Sequence, residues 1–81
     1  MITVHLAAAL RDLTGGAAEV AIEADTVRSL IRQLDEQFPG IGDRLRDGTS
    51  VSINGEIIAD ALYEDLPPDA EVHFLPTLSG G

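Results

Sequence analysis

One apolar stripe in the middle of this chain sets the terms for everything around it. Val27, Leu30, Ile31, Leu34 and Phe38 recur at the spacing of a single α-helical face, with Arg28, Arg32, Asp35 and Glu36 largely off that face. Asp25-Thr26 offers an N-cap before the stripe, and Pro39-Gly40 stops the helix after it. On both sides the hydrophobic period falls to two. Ile2, Val4 and Leu6 alternate with Thr3 and His5 in a run read as a strand from Ile2 to Leu10 with one buried face. Val20 and Ile22 alternate with Glu19, Ala21 and Glu23 across Ala18 to Ala24. Thr14-Gly15-Gly16, a turn whose glycines accept positive φ, joins these runs as a hairpin.

Downstream, Ile41 to Arg46 has room for one more short turn, closed by Asp47-Gly48. Val51, Ile53 and Ile57 mark short strands around the tight-turn dipeptide Asn54-Gly55. Leu62 to Pro68 reads as a connection that can hold a short turn of helix. Val72 and Phe74 then place a last strand from Glu71 to Leu75, ended by Pro76. One helix across one face of a mixed sheet is an α+β two-layer domain. If the first and last strands lie side by side in the middle, the arrangement is a β-grasp; pattern alone does not order the strands. The expected division is a domain over residues 1–76 and a flexible tail over 77–81.

Size and charge narrow the function classes. With 81 residues the chain holds one modest core and no deep catalytic pocket of its own. There is no cysteine, which excludes thiolate metal sites, a cysteine nucleophile and disulfides. No apolar run approaches the ~20 residues of a membrane span, and the start lacks a signal-peptide layout, so a cytoplasmic protein with no membrane partner is expected. The net charge of −9 repels phosphate backbones, so nucleic acid is not an expected partner, while a partner with a basic groove is. All five basic residues are arginine, at positions 11, 28, 32, 44 and 46, so no lysine amine is present.

Conventional catalytic sets are weak. His5 and His73 fall on the polar phase of their strands and would meet on the open sheet face if those strands are neighbours. Two histidines fall short of the four ligands usual in structural zinc sites, and a solvated or partner-facing pair is the simpler reading, so no metal is assigned. The adjacent acids Asp35-Glu36 and Glu64-Asp65 have no cleft to serve, and Thr14-Gly15-Gly16 lacks the lysine of a phosphate-binding loop. The tail is different. Gly80-Gly81 follows closely on a strand and Pro76, with Leu78 as one apolar anchor. Rooted there, it reaches about 20 Å beyond the domain, and glycines without a Cβ can thread a narrow channel. What arrives at its end is the Gly81 α-carboxylate. A carboxylate is a poor electrophile, so an ATP-using partner must first make it an acyl-adenylate. Attack by an amine then gives a conjugate, and attack by a sulfur nucleophile gives a thiocarboxylate. A chain without lysine cannot build chains on itself, which tilts the reading toward sulfur.

The segment Val72-His73-Phe74-Leu75-Pro76-Thr77-Leu78-Ser79-Gly80-Gly81 resembles the closing pattern of the MoaD/ThiS family of ubiquitin-like β-grasp sulfur carriers. Asp69-Ala70-Glu71-Val72 is similar to the acidic turn before that strand, and Asp25-Thr26-Val27 with Leu30 and Leu34 to the family's helix start. Phe38-Pro39-Gly40-Ile41 with Arg44-Leu45 is similar to a helix exit of MoaD-like members, carriers used in cysteine synthesis among them. Many molybdopterin-type members carry two prolines before the tail, whereas Thr77 follows Pro76 here. The resemblance implies a carrier that binds no cofactor itself. Its Gly81 carboxylate would be adenylated by an E1-like enzyme of the MoeB/ThiF type, using ATP and Mg, and converted to a thiocarboxylate. Gly80 would belong with Gly81 to the reacting end, and the tail residues Thr77, Leu78 and Ser79, with Pro76, Leu75, His73 and His5, would meet partners. The leading expectation is molybdopterin synthesis, with this chain as the small subunit beside the large subunit of the synthase. Carriers for cysteine, thiamine or a specialised sulfur metabolite, a ubiquitin-like modifier, and a plain interaction module stand as alternatives.

Overall fold

The structure, a computed structural model that describes residues 1–46 and 49–76, puts the helical stripe across a five-stranded sheet. β1 (Ile2–Leu6) and β2 (Glu19–Ile22) form the expected antiparallel hairpin, with Val4 opposite Val20. α1 (Val27–Gln37) and α2 (Ile41–Arg46) follow. β3 (Thr49–Ile53) and β4 (Glu56–Ile58) are antiparallel, and β5 (Glu71–Pro76) closes the described chain. The sheet order is β2-β1-β5-β3-β4. β5 lies parallel to β1 and antiparallel to β3. First and last strands are therefore central neighbours, and the fold is the ubiquitin-like β-grasp.

α1 forms where the sequence places it because both of its ends are satisfied. Thr26 accepts a hydrogen bond from the Ser29 amide at 3.1 Å, an N-cap that serves a donor with no partner inside the helix. At the other end the Asp35 carboxylate accepts from the Gly40 and Gly42 amides at 3.2 and 2.9 Å, which folds α2 back toward α1. A Cβ at Gly42 would stand 2.8 Å from the same Asp35 oxygen, so a larger residue there would force Asp35 to shift. Asn54 and Gly55 both take positive φ, 50° and 86°, as a two-residue hairpin turn requires.

The core lies between α1 and the sheet. Val4, Val27, Leu30, Leu34, Val72 and Phe74 are all 0% exposed, joined by Ile2, Leu6, Ile22, Ile31, Ile41 and Leu45. Phe38 and Val20, expected inside with them, are only partly buried and pack on the margin. No buried side-chain polar atom lacks a partner among the described residues.

Three boundaries differ from those read in the sequence. The first strand stops at Leu6 rather than Leu10, and Ala8–Thr14 forms a 3-10 helix. Ala7-Ala8-Ala9 has no branched or aromatic side chain to favour extension, and Leu10 reaches the core from the helix instead. The Arg11 Nε donates to the Leu6 carbonyl at 3.2 Å, and Thr14 Oγ1 lies 2.8 Å from the Ala17 carbonyl, so the new segment is pinned at both ends. The second strand spans only Glu19–Ile22 of Ala18 to Ala24. The last strand includes Pro76, which stands opposite Thr49. A 3-10 helix at Ala61–Tyr63 supplies the short turn in the connection between β4 and β5. Asp47-Gly48 and residues 77–81, the expected tail, lie outside the described residues.

Candidate functional site

Alternation gives each strand an inner and an outer face, and the helices cover only the inner one. On β1, Ile2, Val4 and Leu6 point into the core, leaving Thr3 and His5 outside. On β5, Val72 and Phe74 point in, leaving Glu71, His73 and Leu75 outside. Register does the rest. Parallel pairing sets His5 beside His73, and antiparallel pairing sets Glu19 beside His5, Ser52 beside His73, and Ser50 beside Leu75.

The two imidazoles stack with centroids 4.2 Å apart and planes 11° from parallel. His5 Nε2 lies 3.1 Å from Glu71 Oε1, and its Nδ1 lies 3.5 Å from Glu19 Oε1. One ring is thus bracketed by two exposed carboxylates and faced by the other ring. This is a pair of flat rings in contact, not two nitrogens converging on one point. Apolar area flanks it: Leu75 is 39% exposed on β5, and Ile57 is 67% exposed opposite Ser52 on β4. Where β1 turns away at Ala7, a hollow of about 440 Å³ opens against His5, His73, Leu75, Arg11 and Glu19. The face therefore offers mixed polar and apolar contacts with no helix of the described residues over it, the make-up of a recognition surface.

His5, His73 and Leu75 are brought together as the sequence suggested, and Pro76 ends the same central strand. Thr77, Leu78, Ser79, Gly80 and Gly81 lie outside the described residues. Reading the sequence did not single out Glu19, Glu71, Arg11 or Ile57 for this face. The outward phase of Glu19 and Glu71 was a usable signal, but which carboxylate meets which ring depends on register. Among the described residues no helix is long and apolar enough to cross a membrane.

Known proteins of the same kind were found by sequence and by shape. Residues 4–81 match the family described as the ThiS family. The sulfur carrier protein CysO of Mycobacterium tuberculosis is 29% identical over 91 aligned positions, covering 99% of this chain and 98% of that protein. A crystal structure of M. tuberculosis CysO superposes with a TM-score of 0.88 at 26% identity, over 96% of this chain and 100% of that one. The BexX/CysO complex of Amycolatopsis orientalis contains a chain with TM-score 0.88 and 26% identity, matched over 100% of both. SAMP1 from Haloferax volcanii gives a TM-score of 0.72 at 27% identity, over 99% of this chain and 98% of that one.

Proposed function

The chain belongs to the ThiS family, and on that premise we propose that it is a sulfur carrier acting through the carboxylate of Gly81. The observation that carries this reading is a family match running through Gly80-Gly81, on a chain whose last strand lies at the centre of the sheet. The chemistry is two displacements. A Gly81 carboxylate oxygen attacks the α-phosphorus of ATP, pyrophosphate leaves, and an acyl-adenylate forms. Sulfide then attacks the carbonyl carbon and AMP leaves, giving the thiocarboxylate directly. Where the nucleophile is a partner's persulfide, the acyl disulfide formed is cleaved by a second thiol, which leaves as a disulfide with the carrier sulfur and frees the thiocarboxylate. An E1-like partner supplies the ATP site and the Mg, and a second partner accepts the sulfur. The test is ATP–pyrophosphate exchange with the cognate activating enzyme. Exchange that depends on this chain is expected, and its absence with a folded chain and an active enzyme counts against the reading.

Relatives named CysO, together with the helix exit Phe38-Pro39-Gly40-Ile41, support delivery of sulfur to cysteine or a specialised metabolite ahead of molybdopterin synthesis. The molybdopterin expectation rested on the general resemblance to MoaD/ThiS carriers, which several pathways share, and Thr77 after Pro76 already departs from the molybdopterin type. A modifier role uses the same adenylate and differs only in the nucleophile. It keeps a place because SAMP1 of H. volcanii, a small archaeal modifier protein by name, is similar over 99% of this chain. Lysine conjugates in cell extracts separate the two.

The activating enzyme docks, on this reading, on the open sheet face at the foot of the tail. His73→Ala with Leu75→Ala is expected to weaken that complex about tenfold or more, because exposed side chains at the centre of a patch dominate its affinity. Charge reversal at Glu19 and Glu71 slows association most at low salt. Unchanged affinity of the double variant, measured by calorimetry, would move the interface elsewhere.

A further inference from the structure

At the β4 edge of the sheet, on the side where the helices pack, a cleft of about 530 Å³ opens. Val27 and Ile31 of α1, Leu45 of α2, Ile58 of β4, and Ala61 and Leu62 of the 3-10 turn line it. Val27, Ile31, Leu45 and Ala61 are buried core residues, so the floor of the cleft is the core itself. A second hollow adjoins it, lined by Arg28, Ser29 and Arg32 of α1, by Arg46 of α2 and by Leu62. Arg46 and Leu62 line both, which makes one continuous groove with an apolar half and a basic half.

The basic half is the unusual part. Three of the five positive charges in a chain of net charge −9 converge there. Among the described residues no carboxylate lines that hollow; Asp60 lines the cleft instead. Arg28 and Arg32 stand one helical turn apart, a like-charge spacing that costs stability unless an anion relieves it. The Arg28 guanidinium lies 5.8 Å from the centre of the Tyr63 ring, close enough for the ring face to help hold it. Arg46 reaches Asp43 at only 3.8 Å, with the two side chains 47% and 97% exposed, a pairing too open to neutralise it firmly.

We propose that this groove is a second docking site, occupied by a peptide segment of a partner protein that carries aliphatic side chains beside acidic ones. The aliphatic side chains enter the cleft between the helices and β4, and the carboxylates meet Arg28, Arg32 and Arg46. Charge complementarity selects the acidic half of such a segment, and the apolar floor selects a peptide over a free anion. His5, His73 and Leu75 do not line this groove, although Ile57 and Ser50 of the neighbouring strands line its rim, so a partner seated here leaves the rings themselves uncovered. The proposal does not depend on sulfur chemistry at Gly81.

The test is an amide NMR titration of the full chain with three twelve-residue peptides. One carries an Ile-Val-Leu run followed by three aspartates, one replaces the aspartates with lysines, and one replaces the apolar run with serines. The first is expected to shift the amides of Arg28, Ser29, Arg32, Arg46 and Leu62, and to bind about tenfold or more tightly than either other peptide. R28E/R32E should weaken it by a similar factor, while R44E, the same kind of charge change outside the groove, should not. Spectra of both variants that overlay elsewhere establish that they fold. Equal binding of the lysine peptide, insensitivity to R28E/R32E, shifts confined to the open sheet face, or no shift with any peptide would overturn the proposal.

Discussion

Leu34→Ala is expected to remove about 2–5 kcal/mol of stability, the range for deleting most of a fully enclosed aliphatic side chain. Leu34 is 0% exposed, as are Leu30, Val4, Val72 and Phe74 in the same core cluster. No solvent can fill the space, and the central strands β1 and β5 on the other side of the core hold its wall in place. A domain of this length has roughly 4–12 kcal/mol in total, so the variant sits near the edge of folding. Urea unfolding should show a lower midpoint with an unchanged slope, the mark of lost stability rather than a changed unfolded state. Phe38→Ala is expected to cost less, because Phe38 packs only against the margin of the core. Equal, small losses at both positions would mean that the helical stripe is not the core.

The second large effect concerns the tail and leaves stability alone. Gly81→Ala adds a methyl group, deletion of Gly81 shortens the reach by about 3.5 Å, and one added residue carries the carboxylate past its target. None removes a residue of the core. All three are expected to lose most ATP–pyrophosphate exchange, since misplacing a reacting group by about an ångström costs up to about a hundredfold in rate. Urea midpoints matching the parent would establish that the loss is chemical rather than structural. Exchange that survives in all three would detach function from the Gly-Gly end.

What could be read from the sequence, and what could not, divides along local and non-local physics. α1 was legible because a stripe of period 3.6 with a threonine before it and Pro39-Gly40 after it leaves few alternatives. The inward and outward phases of β1, β2 and β5 were legible for the same reason. The end of β1 was not, because Ala7-Ala8-Ala9 satisfies an alternating pattern as easily as a 3-10 helix, and the burial of Leu10 decides between them only in three dimensions. Pairing of β1 with β5 joins residues far apart in the chain; His5 and Glu71 are separated by 66 positions. The phase of both histidines was visible, yet their stacking and the bracketing carboxylates follow from register. Arg28 and Arg32 were seen as charges off the apolar stripe, and nothing local shows that the turn held by Asp35 brings Arg46 to join them. The pathway escaped for another reason: on the proposed reading the closing pattern serves an activation step common to several pathways, so it says little about who takes the sulfur.

The central claim is tested most directly by the intact mass of the chain after incubation with its activating enzyme, ATP and a sulfur source. The account predicts a mass increase equal to replacing one oxygen with sulfur, mapped by fragmentation to Gly81 and absent from a variant extended by one residue. Full sulfur loading of the extended variant, or a folded chain that gains no sulfur while its tail is joined to lysine amines of other proteins, would contradict it.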